Sequence, residues 1–214
     1  MMHKLIYISQ GHNPNEHLRN IESALQAGVK HVQLRLKNCS EKEILNCAHE
    51  IKNKCEKYNA FFTLNDSPQI AQQVRANGLH LGLKDMPLLE AQKIFKGKIG
   101  ATANEFHQIK NHVQNKADYV GLGPLRFTST KENLSPILGI EGFTKIMNQL
   151  KSEQINIPVF AIGGIELKDI EGLMQAGVYG IAVSGLITNA THKKEIINQI
   201  NSLLDHAYDR KQRV

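Results

Sequence analysis

Residues 61–68 read Phe-Phe-Thr-Leu-Asn-Asp-Ser-Pro and contain a complete connection between a predicted strand and the helix that follows it. Phe61–Leu64 is short and apolar, as expected of a parallel strand that is buried on both faces. Ser67-Pro68 indicates the start of a helix, because proline is favoured at the first helical position. Asn65-Asp66 lies between the two, so an amide and a carboxylate follow directly after a buried strand.

Similar apolar runs alternate with helical patterns along the whole sequence. Gly, Pro, Asn or Asp residues bound most of them, which is typical of short buried strands. The predicted strands are Leu5–Ser9, His31–Leu36, Phe61–Leu64, Gly78–Leu81, Lys98–Ala101, Tyr119–Gly121, Pro158–Ile162 and Gly180–Val183.

Helical segments separate these strands. Ser40, with Glu43 three residues later, forms a capping-box pattern that predicts the start of a helix. Two segments, Leu25–Gly28 and Met174–Gly177, resemble each other because each ends a helix at glycine. The predicted helices are Glu16–Ala27, Ile44–Tyr58, one opening at Ser67-Pro68, one opening at Asp85-Met86-Pro87, Glu141–Leu150 and Lys193–Leu204.

Regular alternation of eight strands and eight helices, without a break in composition, predicts a (β/α)8 TIM barrel, an α/β fold, as a single domain over residues 1–214. A doubly wound open sheet is the alternative. The longest predicted loop is Gly123–Gly139, and a short basic tail occupies about residues 207–214.

Composition excludes several classes of function. The chain is 41% hydrophobic and carries a net charge of +6, but its basic residues are dispersed and it has no Trp. Without basic and aromatic residues interleaved for base stacking, we expect no nucleic-acid partner. Because no apolar run approaches roughly 18 residues, we also expect no membrane association.

Three cysteines, an odd number, favour a reducing cytoplasmic location over a disulfide framework. Cys39, Cys47 and Cys55 are eight residues apart. On a helix that spacing separates neighbours by about 12 Å, which is too far for a shared zinc ion. The start of the chain runs directly into the first predicted strand, with no signal-peptide pattern.

Polar residues at the strand ends indicate where chemistry takes place, since barrel enzymes place their active sites at the C-terminal ends of the strands. Gln33, Arg35 and Lys37 alternate at the end of the second strand, so all three can face one side. A structural Arg–Gln network inside the barrel is the alternative interpretation.

Two carboxylates, Asp66 and Asp85, follow the third and fourth strands. With no His or Cys companion, they are suited to Mg²⁺, which commonly bridges carboxylates to substrate phosphates. The alternative is that each only caps the helix that begins after it.

Anion-binding groups follow the remaining strands. Thr102 offers a hydroxyl after the fifth strand, and Thr128-Ser129-Thr130-Lys131 offers three hydroxyls and an ammonium on the long loop. Gly164 and Ser184-Gly185 follow the last two strands, where small residues let backbone amides approach a phosphate. Tight turns are the alternative explanation for these glycines.

Together these groups predict a site with two halves, one for a magnesium-bound polyphosphate and one for a phosphomonoester. No nucleophile–histidine pair and no general base stand out in the sequence. Their absence favours catalysis by positioning and by electrostatic stabilisation of a departing anion.

The order of these motifs closely resembles that of the thiamine phosphate synthase family, also called thiamin-phosphate pyrophosphorylases. The likeness spans about residues 4–204. The matching segments are 32–37 (Val-Gln-Leu-Arg-Leu-Lys), 64–66 (Leu-Asn-Asp), 80–86 (His-Leu-Gly-Leu-Lys-Asp-Met), 99–102 (Ile-Gly-Ala-Thr), 118–124 (Asp-Tyr-Val-Gly-Leu-Gly-Pro), 128–131 (Thr-Ser-Thr-Lys), 162–165 (Ile-Gly-Gly-Ile) and 183–185 (Val-Ser-Gly).

This resemblance implies a barrel enzyme of thiamine biosynthesis, a transferase that joins hydroxymethylpyrimidine diphosphate to hydroxyethylthiazole phosphate and releases pyrophosphate. Asp66 and Asp85 would bind Mg²⁺, and Lys131, Arg35 and Lys37 would assist catalysis. The residues that would hold the pyrimidine diphosphate are Gln33, Arg35, Lys37, Asn65, Thr102 and Lys131. Those that would hold the thiazole phosphate are Thr128, Ser129, Thr130, Gly164, Ser184 and Gly185. Family likeness also suggests a homo-oligomer.

The sequence departs from the family pattern at several positions. Where the family usually has an acidic residue this chain has Leu36, and it has Ser67 in place of Arg, Leu83-Lys84 in place of Gln-Glu, Thr102 in place of Ser and Phe127 in place of Pro. Ser184-Gly185 stands for the family's Ser-Ala pair, shifted by one residue. Lys84 beside Asp85 would weaken the metal site if it pointed inward, and we expect it to point to solvent.

The related thiazole tautomerase is an alternative, because it shares much of this architecture. It is expected to have a His soon after the fifth strand and to lack the metal-binding Asp pair. Here Asn104 stands at the His position and both aspartates are present, which favours the synthase. A non-catalytic phosphate-binding barrel is the remaining alternative.

Overall fold

Eight parallel strands pair in chain order and close into a barrel in the computed structural model, which describes residues 2–127 and 136–212. The ring closes where Leu5 of the first strand pairs with Ile181 of the last. The strands are β1 (Leu5–Ile8), β2 (His31–Leu34), β3 (Phe61–Asn65), β4 (Gly78–Leu81), β5 (Lys98–Ala103), β6 (Tyr119–Leu122), β7 (Val159–Ile162) and β8 (Gly180–Val183). The predicted TIM barrel is confirmed, and the open-sheet alternative is wrong.

Some strand boundaries differ from the prediction for local reasons. β2 ends at Leu34 rather than Leu36 because the Arg35 amide donates to Ser9 Oγ, 3.0 Å away, instead of to a neighbouring strand. β7 begins after Pro158, which has no backbone N–H to donate. β5 continues to Ala103, since Thr102 and Ala103 still pair with β6.

Helices cover the outside of the barrel. They are α1 (Pro14–Gln26), α2 (Glu41–Lys57), α3 (Pro68–Gln73), α4 (Leu88–Ile94), α5 (Phe106–Gln114), α6 (Gly139–Ser152), α7 (Ile170–Ala176), α8 (Gly185–Thr188) and α9 (Lys193–Gln212), with a 3₁₀ turn at Leu167–Asp169. Of the described helices, none is long and apolar enough to cross a membrane.

Capping residues account for several helix ends. The Ser40–Glu43 capping box is confirmed, with reciprocal bonds of 2.8 and 3.3 Å. α1 begins at Pro14, earlier than predicted, because Asn13 accepts the Glu16 amide as the cap. The closing helix also runs past its predicted end at Leu204.

The barrel interior has two chemically different halves. Ile6, Tyr119, Phe160 and Ala182 form a small apolar cluster on the side of β6, β7, β8 and β1. The buried polar side chains inside β2–β5 occupy the other side; they are His31, Gln33, Thr63, His80 and Thr102. The fold therefore concentrates hydrogen-bonding groups beneath the strand ends where chemistry was predicted.

Candidate active site

A cavity of about 400 Å³ opens at the C-terminal ends of the strands. Its walls combine polar side chains from β2–β5 with the apolar side of the interior. The predicted site residues that line it are Gln33, Arg35, Lys37, Asn65, Asp66, Asp85 and Thr102. Side chains from four separate chain segments thus meet at one place, as the barrel prediction required.

Alternation along β2 and the three residues after it directs three side chains into the cavity. Gln33, Arg35 and Lys37 all line it, while the residues between them are buried in the outer core. The Gln33 amide, 3% exposed, donates to Asn65 Oδ1 at 2.7 Å. A structural Arg–Gln network is therefore absent from the described residues, and the half-buried Arg35 guanidinium is available to a ligand.

Asp66 and Asp85 are neighbours across the β3 and β4 ends, close enough to share a hydrogen bond. Lys37 Nζ lies 2.5 Å from Asp66 Oδ2, and Asp85 Oδ2 accepts the Gly82 amide at 2.5 Å. Neither carboxylate caps a helix: Ser67 caps α3, and α4 has no side-chain cap. The capping alternative is therefore wrong for both.

Proximity of the two carboxylates has an electrostatic cost. Burial raises the pKa of Asp85, and the hydrogen bond and negative charge of Asp66 raise it further. The Gly82 amide and the Lys37 ammonium oppose this rise in pKa. A divalent cation between the carboxylates would relieve the repulsion.

The donor chemistry of this pair fits Mg²⁺. No group of three or more His, Cys, Asp or Glu side chains suited to a metal occurs among the described residues. Two carboxylates alone would leave several coordination positions for phosphate oxygens and water, which is how Mg²⁺ is usually held. Lys84 is exposed, as expected, yet it also borders the cavity.

Two buried rings, His80 and Tyr119, lie beneath the cavity, and no sequence motif pointed to them. Thr102 Oγ1 lies 3.0 Å from Nε2 of His80, and Nδ1 of the same ring lies 3.2 Å from the Tyr119 hydroxyl. His80 also lines the cavity. His80 lies in β4, and the alternation of that strand could have indicated that the His80 side chain points into the barrel.

The ends of β7 and β8 form a separate region. Gly164, Ser184 and Gly185 do not line the 400 Å³ cavity. Gly163 and Gly164 have positive φ values of 91° and 68°, so a tight turn, the alternative explanation for Gly164, is present here. Ser184 Oγ donates to Gln10 Oε1 at 3.2 Å, and Gly185 begins α8.

Arg126 is a further residue that the sequence did not reveal. Its guanidinium makes a paired contact with the Asp169 carboxylate, at 2.6 and 2.8 Å, and donates to the Gly164 carbonyl at 2.6 Å. These bonds connect the β6 and β7 loops next to the predicted phosphate-binding turn. Thr128, Ser129, Thr130 and Lys131 lie outside the described residues, so their predicted roles stay predictions.

Comparison with known proteins identifies the family. A family model described as thiamine monophosphate synthase matches residues 5–187. The chain belongs to the thiamine monophosphate synthase family. It is accordingly a transferase that acts in thiamine biosynthesis.

Relatives cover nearly the whole chain. A thiamine-phosphate synthase of Flavobacterium johnsoniae is 52% identical over 206 residues, covering 95% of this chain and 97% of the relative. One of Bacteroides fragilis is 42% identical over 201 residues, covering 93% and 98%. The solved thiamine phosphate pyrophosphorylase of Pyrococcus furiosus superposes with a TM-score of 0.83 at 28% identity, covering 95% of this chain and 96% of that one.

Proposed function

We propose that this family member joins hydroxymethylpyrimidine diphosphate to hydroxyethylthiazole phosphate, releasing pyrophosphate, and that it does so with Mg²⁺ bound by Asp66 and Asp85. The observation that carries the proposal is the meeting of these two carboxylates with Lys37 and Arg35 at one cavity. Two acidic and two basic side chains in one place are suited to a metal-bound diphosphate.

Bound Mg²⁺ would neutralise charge on the diphosphate leaving group. Arg35 and Lys37 would hold its remaining oxygens and stabilise the negative charge as it departs. The Gln33 amide already donates to Asn65 Oδ1, which leaves Asn65 Nδ2 as a donor toward the cavity. Together these groups would orient the diphosphate and the reacting carbon attached to it.

Capture by the thiazole nitrogen needs no general base, because that nitrogen already carries a lone pair. Thr102 and His80 form a hydroxyl–histidine contact at the cavity floor, but the proposed capture requires no nucleophile from the protein. Gly164, Ser184 and Gly185 would hold the phosphate of the second substrate, with Thr128, Ser129 and Thr130. Lys131 would assist departure of the pyrophosphate.

Asn104 supports coupling rather than tautomerisation. It stands where the tautomerase is expected to have a catalytic histidine, and its side-chain amide donates to the Gly123 carbonyl. An asparagine amide cannot move a proton at neutral pH, and this one is occupied by the backbone. The adjacent aspartates favour coupling as well.

A pyrophosphate-release assay tests the proposal. We expect release only when both substrates and Mg²⁺ are present, with loss of activity in EDTA and recovery on adding Mg²⁺. Asp85→Asn should abolish release, while Asp205→Asn, which removes an exposed carboxylate far from the cavity, should leave it unchanged. Equal release with and without Mg²⁺, or conversion of the thiazole phosphate alone, would contradict the proposal.

A further inference from the structure

Five buried side chains form one row across the barrel interior. We refer to it as the interior chain; its members, in order, are His31, Thr63, Tyr119, His80 and Thr102. His31 Nε2 lies 2.8 Å from Thr63 Oγ1, and Thr63 lies beside the Tyr119 hydroxyl. Tyr119 then contacts His80, which contacts Thr102 at the cavity floor.

Glycines create the space for this chain. Gly100 pairs with His80 on one side and with Tyr119 on the other, so it lies between them in the sheet. A Cβ on Gly100 would lie 2.0 Å from Cζ of Tyr119, and a Cβ on Gly121 would lie 3.2 Å from Cε1 of His80. The two rings meet because the strand between them has no side chain at that level.

His31 sets the direction of the hydrogen bonds. Burial lowers the pKa of His31 to about 3, so its ring is neutral and carries one proton. Its Nδ1 is buried and has no partner among the described residues. A buried N–H without an acceptor is costly, so the proton lies on Nε2 and is donated to Thr63.

Each following group then has one consistent role. Thr63 accepts from His31, which leaves its own hydrogen for the neighbouring Tyr119 oxygen. Tyr119, whose pKa burial raises, keeps its proton and donates it to Nδ1 of His80. A ring that accepts at Nδ1 carries its proton on Nε2, from which it donates to Thr102.

Thr102 is left with a hydrogen of its own and no acceptor for it in the described part of the chain. Its side chain is 7% exposed and lines the cavity. We propose that His80 is a positioning residue that acts through Thr102. By donating to the Thr102 hydroxyl oxygen, His80 orients that hydroxyl so that the hydroxyl hydrogen points at the bound pyrimidine diphosphate. This inference rests on the proposed function, because the acceptor it names is that substrate.

The tautomer of His80 is the most direct readout. Long-range ¹H–¹⁵N correlation spectra of the uniformly labelled, ligand-free protein distinguish a protonated Nε2 from a protonated Nδ1, with His80→Gln used to assign the signals. We expect the Nε2–H form for His80 in the wild type. The Nδ1–H form would overturn the inference whether or not the enzyme couples the two substrates.

Kinetics test whether the effect passes through Thr102. His80→Leu should lower kcat/KM for the pyrimidine diphosphate about 10- to 100-fold, the usual effect of one lost hydrogen bond to a charged group. It should leave KM for the thiazole phosphate unchanged. His80→Gln, which restores an N–H donor toward Thr102, should recover most of the activity.

A double-mutant cycle separates positioning from damage to the fold. In a Thr102→Val background, His80→Leu should have no further effect beyond about 2-fold, because the hydroxyl it orients is gone. Independent, multiplicative losses would overturn the inference. If His80→Leu does not fold, Tyr119→Phe serves instead. Tyr179→Phe is the matched control, because it removes a tyrosine hydroxyl that donates to the Met2 carbonyl.

Failure of this inference differs from failure of the proposed function. A wild-type protein that does not couple the two substrates refutes both. A wild type that couples them, with His80 in the wrong tautomer or with additive losses in the cycle, refutes only the role of His80.

Discussion

Replacing His31 with glutamine should change how the stability of the barrel depends on pH. His31 is 0% exposed inside the barrel, and burial, with smaller contributions from His3 and His80, lowers its pKa from 6.5 to about 3. Glutamine can keep a donor to Thr63 but cannot bind a proton. The substitution therefore removes the titration and retains the hydrogen bond.

The magnitude follows from the two pKa values. Between about pH 6.5 and pH 3 the unfolded chain binds a proton at His31 that the folded chain does not, so stability is lost as the pH falls through that range. The difference amounts to roughly 5 kcal/mol over the full range and about 2 kcal/mol between pH 7 and pH 5. We expect the wild type to lose about 2 kcal/mol more than His31→Gln over that interval.

Urea unfolding at pH 7, 6 and 5 measures this difference as a change in the free energy of unfolding. His49→Gln, which removes an exposed imidazole, is the matched control and should follow the wild type. Equal losses in the wild type and His31→Gln would refute the assignment of His31 as a neutral buried ring. They would also remove the starting point of the interior chain.

Three further substitutions test the cavity and its rim. Asp85→Asn should abolish magnesium-dependent turnover yet raise the free energy of unfolding in EDTA by about 1 kcal/mol, because it removes a half-buried charge beside Asp66. A less stable variant in calorimetry would contradict this. Lys37→Met should lower kcat/KM at least about 10-fold while changing stability by less than about 0.5 kcal/mol, since its ion pair with Asp66 is partly exposed; unchanged kinetics would exclude a role in binding. Gly164→Ala should cost about 1–3 kcal/mol in urea unfolding, because φ is +68° and the new methyl would lie 2.4 Å from a side-chain carbon. Gly185→Ala, whose nearest contact would be 3.4 Å, is its control, and equal costs would contradict the steric argument.

Features governed by local periodicity could be predicted from the sequence. The alternation that begins in β2 and continues past its end at Leu34 placed Gln33, Arg35 and Lys37 on one side, because side chains of an extended chain alternate. The Ser40–Glu43 capping box was equally local. The barrel followed from repetition of one strand–helix unit.

Features that depend on distant residues could not be predicted in the same way. Arg126 and Asp169 pair across two loops, and no pattern in either segment indicates the other. The contact of His80 with Tyr119 requires the strand register that places Gly100 between them. The helix-capping alternative for Asp85 failed for the same reason, since its loop turns back to the Gly82 amide before the helix begins.

A crystal structure with Mg²⁺ and pyrophosphate bound measures the central claim directly. We expect one ion at about 2.1 Å from a carboxylate oxygen of both Asp66 and Asp85, with its other positions filled by pyrophosphate oxygens and water. The same map should place Arg35 and Lys37 against the pyrophosphate. An ion bound away from either aspartate, or pyrophosphate held elsewhere on the barrel, would contradict the account.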